Sequence, residues 1–219
     1  ESELFWALRG GSGNFGIGTE FRFKCHPVGP DVYVSTNVIE LENAAPALKL
    51  WRTVMSEAPE ELAWNAFFRS GPDRPELAWI PAPLRDLPVL IMPLIWAGDP
   101  AEGERYIKQI NSRLDAAGTK VATRVSASIP YLEVQQQWDE VFAHGRRHYA
   151  KAGFFKEVPD EALQIVLGAV ERLPHPATQV EILRLGGAVA KGASDATAFP
   201  HRDANWHFIL IGLWDDAAY

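Results

Sequence analysis

The sequence of 219 residues is short of cysteine, of methionine and of long apolar runs, and each shortage excludes a class of protein. Its single cysteine, Cys25, permits no internal disulfide and no cysteine-rich zinc site, although a lone thiol says little about compartment. No apolar stretch reaches the roughly 18 residues that a membrane helix needs. The longest, residues 87–97, is interrupted by Pro88 and Pro93 and reads as a buried strand. A basic excess is missing as well. The 21 Lys and Arg against 28 Asp and Glu give a net charge of -7, and the scattered cations offer no face to a phosphate backbone. Neither nucleic acid nor a membrane is therefore an expected partner. No initiator Met and no basic, then apolar leader precedes Glu1, and the last residues stop on the turn signal Asp215-Asp216. The expectation is a segment of a longer protein, with its localisation open.

What is abundant is apolar material: 47% of the residues are hydrophobic and 8 are Trp. A chain of this size hides roughly 70% of its unfolded surface, enough for one large domain or two small ones without staples. Residues 19–26 alternate Phe21, Phe23 and Cys25 against Glu20, Arg22 and Lys24, the period of a half-buried strand, which makes Cys25 a small core residue. Residues 31–42 read as a second strand, and Asn43 opens a helix to about Ala58 whose apolar face carries Leu48, Trp51, Val54 and Met55. Residues 62–69, 77–81 and 87–97 read as strands. Asp99 and Pro100 open the clearest helix, which Gly118 ends. Strands over 119–128, 178–190 and 206–214 and a helix over 160–173 complete the reading. Strands that come in groups favour an α+β fold, an antiparallel sheet with helices on one face. The cluster Pro27, Gly29 and Pro30 marks the one boundary, dividing 1–30 from 31–219. Trp51, Trp64, Trp79, Trp96, Trp138 and Trp214 are expected in the core or in cavity walls.

The glycine-rich stretch from Gly10 to Gly18 carries most of the chemical information. Gly11-Ser12-Gly13-Asn14-Phe15-Gly16 satisfies the dinucleotide pattern G-x-G-x-x-G, but that fingerprint needs a helix opening at its end, and here Gly16 leads through Ile17 and Gly18 into strand-like sequence. This context argues against a nicotinamide-type fold. Two readings stay open. The glycines make a tight turn, or they let a ligand approach bare backbone N–H groups.

The same loop with its flanks, Glu3-Leu4-Phe5-Trp6-Ala7-Leu8-Arg9-Gly10 through Gly18-Thr19 and closing on His26-Pro27, strongly resembles FAD-linked oxidases of the vanillyl-alcohol oxidase and p-cresol methylhydroxylase superfamily, berberine-bridge-enzyme-like branch. Two further pieces match in the family's order. Arg147 to Phe154 resembles the family's tyrosine- and lysine-containing segment. Gly186-Gly187-Ala188-Val189 with Phe199-Pro200-His201-Arg202 resembles its paired-glycine strand and phenylalanine-proline-histidine-arginine turn. Departures are Glu3 for an aspartate, Ser12 for a glycine and Gly18 for a valine. The resemblance implies the end of a FAD-binding domain, its last strand and glycine loop, over 1–30, and a substrate domain over 31–219. It implies FAD contacts from Gly11, Gly13, Asn14, Gly16, Ile17 and Thr19. The family's pyrophosphate loop, covalent histidine and C-terminal tyrosine motif have no counterpart here, so the missing part of the flavin domain becomes an expected partner.

The chemistry implied is oxidation of a C–H beside oxygen or nitrogen in a small molecule, with hydride passing to FAD and O2 as final acceptor. Some members carry a catalytic glutamate on the strand after the histidine-arginine turn. The corresponding strand here has no Glu, and His207 is its nearest titratable group, suited by an ordinary pKa of about 6.5. His207 reads equally well as a hydrogen-bonded inner residue. Tyr149 and Lys151 share a side if their stretch is a strand, and they line a substrate cavity or a surface edge. His144 and His148 stand four apart, but no third ligand is evident and no metal site is expected. The rival to the oxidase is a non-catalytic α+β ligand-binding module.

Overall fold

A computed structural model describes residues 2–70, 79–139, 142–174 and 177–216. After a short helix, α1 (Ser2–Leu8), come strand β1 (Asp31–Glu40), helix α2 (Ala44–Glu57), strands β2 (Leu62–Trp64), β3 (Ala66–Ser70) and β4 (Pro88–Trp96), and helix α3 (Pro100–Ala116). The second half holds β5 (Val121–Pro130), α4 (Tyr131–Gln136), β6 (Arg147–Phe155), α5 (Asp160–Val170), β7 (Gln179–Arg184), α6 (Ala188–Lys191) and β8 (Trp206–Trp214). The strands form one sheet in the order β5-β1-β4-β3-β7-β8-β6, with β2 also on β4, and every pairing is antiparallel. The α+β expectation holds.

The helix face of the sheet carries the main core. Leu48, Trp51, Val54 and Met55 of α2 and Ile107, Ile110 and Leu114 of α3 pack on Phe68, Leu90, Met92, Leu94, Ile182 and Trp206. Trp51 also donates its indole N–H to the Trp64 carbonyl at 2.7 Å, so this large ring is buried with its polar atom satisfied. Asp99 caps α3 by accepting from the N–H groups of Ala101 and Glu102 at 2.8 and 3.1 Å, Pro100 takes the first turn, and Gly118 leaves the helix at φ +76°. Between α3 and the sheet runs a buried polar chain. Asn37 donates to Asn111, Asn111 donates to Ser35, and Arg124 donates to Asn37 while pairing with Asp115. The Arg124 hydrogen bond holds the Asp115 carboxyl below its ordinary range.

The opposite face is covered only in part. Val38, Val89, Ile91 and Phe67 pack under Ile80 and Leu84, and Trp138 packs on Ala177 and Leu213.

Several sequence expectations are corrected here. Residues 19–26 are not a strand: their alternation is real, but no described strand supplies a hydrogen-bonding partner, and Phe21 and Phe23 are exposed. Cys25 is exposed instead of core. Residues 62–69 divide into β2 and β3 opposite Pro93, which has no N–H to give and only accepts from Asn65. The strand expected over 77–81 lies partly outside the described residues. Trp79 to Pro81 are irregular, with Trp79 exposed, although Ile80 is fully buried. Residues 178–190 stay extended only to Arg184, because Gly187 turns the chain at φ +51° into α6. Among the described residues no helix is long and apolar enough to cross a membrane.

Candidate functional site

The glycine loop folds as a single turn of 3-10 helix, Ser12–Phe15, in which Asn14 donates its side-chain amide to the Gly11 carbonyl at 3.2 Å. Ser12 sits at φ +66°, a left-handed value that a glycine takes without strain. Gly13 and Gly16 face open space, with no atom within 4 Å of where a Cβ would stand, and Gly16 is at φ +122°. Ile17 is 93% exposed, and Asn14 and Thr19 are exposed too. The loop presents bare, outward backbone.

Its anchor is the turn ahead of β8. Trp6 donates its indole N–H to the Asp195 carbonyl at 2.6 Å, Arg9 donates to the Ala196 carbonyl at 3.1 Å, and the Ala198 N–H donates to the Trp6 carbonyl. A Cβ on Gly10 would lie 2.3 Å from the Phe199 nitrogen, so only glycine permits this approach. Two segments nearly two hundred residues apart thus form one contact. The turn is held in turn by Arg202, which donates to the Val189 carbonyl and the Thr197 hydroxyl.

From Phe199 an aromatic group leads to His207. The Phe199 and Phe154 ring centroids are 5.8 Å apart at 80°. Phe154 then stacks between His201 (4.1 Å, 12°) and His207 (4.5 Å, 5°). Phe154 and His207 are directly paired across β6 and β8, which is why their rings meet. The Nε2 atom of His207 is buried and, among the described residues, has no hydrogen-bond partner. Burial first, and the charge of His201 second, push the His207 pKa below its ordinary value, so the ring is neutral at pH 7.

On the same face lies a group that the sequence reading passed over. Glu181 of β7 pairs with Ile209, which makes it a diagonal neighbour of His207, about 7–8 Å away between Cα atoms. Gln179 donates to its carboxylate at 2.6 Å. Burial raises the Glu181 pKa, while the nearby Arg69 charge pulls it back. The sequence carries a signal for it, since Glu181 stands between Val180 and Ile182 in an alternating run, one strand before the histidine-arginine turn.

Tyr149 and Lys151 do share one side of a strand, and they line a cavity of about 710 Å³. Side chains alternate along β6, however, so Tyr149 and Lys151 emerge on the helix side while Phe154, beside His207, emerges on the other. The structure therefore does not bring them to His207. His144 lies in a turn and His148 in β6, and among the described residues no cluster of His, Cys, Asp and Glu has the makings of a metal site.

No family model matches the sequence. Over 213 residues it is 29% identical to an FAD-linked oxidoreductase of Dictyostelium discoideum, covering 96% of this chain and 42% of that protein. The fold is similar to that of a berberine bridge enzyme variant solved with (S)-reticuline, at TM-score 0.71 and 22% identity over 99% of this chain and 42% of the other. It is also similar to GilR, an oxidoreductase of gilvocarcin biosynthesis solved with pregilvocarcin, at TM-score 0.72 and 21% identity over 99% of this chain and 47% of the other. The chain thus resembles an FAD-linked oxidoreductase in sequence and has an antiparallel α+β fold like that of berberine bridge enzyme and GilR, while spanning less than half the length of each.

Proposed function

We propose that this chain is the substrate-domain part of a flavin-dependent oxidoreductase, in which residues 1–30 belong to the FAD-binding domain and 31–219 to the substrate domain. One observation carries the reading: the glycine-loop helix docks on the turn that leads into the His207 strand, so a bare backbone loop and a neutral imidazole share one end of the sheet. The similarity to FAD-linked oxidoreductases supports it. The residues suit FAD. Positions 13 and 16 have open space where side chains would otherwise stand, and among the described residues the buried Nε2 of His207 has no partner beside the apolar residues Ile209 and Ile211.

Gly11, Gly13, Asn14, Gly16, Ile17 and Thr19 would hold the cofactor through main-chain groups. FAD when bound supplies a two-electron acceptor for the substrate hydride, with O2 as the final oxidant. His207 takes the proton of the substrate's hydroxyl or amine, a step that needs a neutral ring, and burial favours the neutral form. Phe154 and His201 fix the plane of that ring by stacking. Glu181 provides a second proton-accepting group on the same face. The substrate class is a small alcohol or amine.

The test is flavin retention followed by turnover. The flavoprotein containing this chain is expected to keep its visible flavin bands through desalting, to bleach anaerobically with an alcohol or amine, and to recover colour with release of hydrogen peroxide when O2 is admitted. His207→Gln is expected to retain the flavin and to slow bleaching by about 10²-fold or more. A colourless protein that gains no flavin bands from added FAD would leave the binding-module reading in its place.

A further inference from the structure

The cavity around Tyr149 and Lys151 lies on the opposite side of the sheet from His207, so it needs an account of its own. It is about 710 Å³, within the size range of small-molecule sites, and its walls are mainly apolar: Leu173 and Pro174 after α5, and Leu210 and Trp214 of β8. Its floor has a structural cause. Tyr149 pairs across the strands with Gly212, and a residue with no side chain there leaves an opening between Leu210 and Trp214. That opening is not imposed by the backbone. A Cβ on Gly212 would meet its nearest atoms at 3.6 to 3.9 Å, ordinary contact distances, and glycine weakens a strand relative to a branched residue.

Charge at the cavity has one sign. Lys151 and Arg172 both line it, and among the described residues no Asp or Glu does. Among the described residues neither cation has an ion-pair or hydrogen-bond partner, while Lys151 stands 6.0 Å from the centre of the Tyr149 ring. Cations elsewhere on the molecule are matched: Lys49 and Arg52 pair with Asp160, Lys156 with Asp203, and Lys191 with Glu60. An apolar pocket edged by two uncommitted cations complements one kind of small molecule. We propose that this cavity is a binding site for an amphipathic organic anion, an apolar ring system or chain bearing one carboxylate, seated between Leu173, Leu210 and Trp214 with its carboxylate at Lys151 and Arg172. The aromatic walls Tyr149 and Trp214 favour a flat body. This site is independent of flavin binding, because no residue of the glycine loop or of the His207 face contributes to it.

The experiment uses the 219-residue chain and two probes of one shape, 1-naphthoate and the neutral 1-naphthalenemethanol, in calorimetric titrations with methyl-resolved NMR. Naphthoate is expected to bind saturably, about tenfold or more tighter than the alcohol, since a hydrogen bond to a charged partner carries that much discrimination. It is expected to shift the methyl signals of Leu173 and Leu210 and not those of Ile209 and Ile211, which lie on the other face. Lys151→Gln with Arg172→Gln, both exposed positions that leave the core untouched, is expected to erase the preference for the acid. Gly212→Val fills the floor and is expected to abolish binding of both probes with no loss of thermal stability. Failure of naphthoate to saturate, equal binding of the alcohol, shifts gathered at Ile209 and Ile211, or unchanged binding in the charge variant would each overturn the proposal. Loss or presence of flavin bears on none of these readouts.

Discussion

The indole N–H of Trp6 donates to the main-chain carbonyl of Asp195 at 2.6 Å across 189 positions of sequence. With Arg9 on Ala196, the Ala198 N–H on Trp6 and Gly10 close against Phe199, this contact fastens α1 and the glycine loop to the turn, while Leu4, Phe5 and Leu8 remain exposed. A helix of seven residues has too few internal hydrogen bonds to persist alone, so its order depends on docking. Everything proposed for the loop therefore depends on the turn at 195–199.

Gly10→Ala tests that dependence. The new Cβ would fall 2.3 Å from the Phe199 nitrogen, at a residue whose φ of +131° already disfavours a side chain, so the two segments must separate. Faster amide exchange and proteolytic nicking over residues 2–26 are expected, while the melt of the main core moves by less than about 1 kcal/mol because α2, α3 and their sheet face are elsewhere.

Ser12→Gly is expected to act in the opposite sense. Its φ of +66° strains a residue with a Cβ, and glycine removes that strain while adding some unfolded-state entropy. A net gain of about 0.5–1 kcal/mol in loop stability follows, read as a few-fold slower amide exchange across residues 11–16. Unchanged or faster exchange would contradict the strain argument.

The lowered pKa of His207 gives stability a pH dependence of defined sign. The folded chain binds this proton less readily than the unfolded chain, so the contribution is fully present above about pH 6.5 and is lost as pH falls through the lower folded value. Urea melts at stepped pH are expected to show stability rising with pH in that window, and His207→Gln to flatten the rise. Phe154→Ala, which removes the ring between His201 and His207, is expected to cost about 2 kcal/mol and to return the His207 NMR titration toward its ordinary value.

Asn37→Ala addresses the polar chain under α3. Asn37 is fully buried, donates to Asn111 at 3.1 Å and accepts from Arg124 at 2.6 Å, so its loss strands one buried partner and loosens the hold on Asp115. A loss of about 2–3 kcal/mol is expected, or roughly 5–10 °C in thermal midpoint. A shift below 1 °C would mean that water replaces the amide without penalty.

Local chemistry made much of this architecture legible. The apolar spacing of Leu48, Trp51, Val54 and Met55 specified α2, Asp99-Pro100 and Gly118 bracketed α3, and the grouping of strands indicated an antiparallel sheet. Residues 19–26 show the limit of such reasoning, because alternation supplies two faces but a strand also needs a neighbour to bond. Cys25, Phe21 and Phe23 stay exposed for that reason.

Most of the elements, the glycine loop, the resemblance to FAD-linked oxidases and His207 as the titratable group of the last strand were legible in the residues alone. Which groups share a face depends on how distant strands pair. Pairing of Phe154 with His207 turns Tyr149 and Lys151 to the helix side, and pairing of Glu181 with Ile209 brings an unsuspected carboxylate beside His207. A strand's period of two says which residues lie together, but the side they occupy is set by the register with distant strands and by the helices that cover one face.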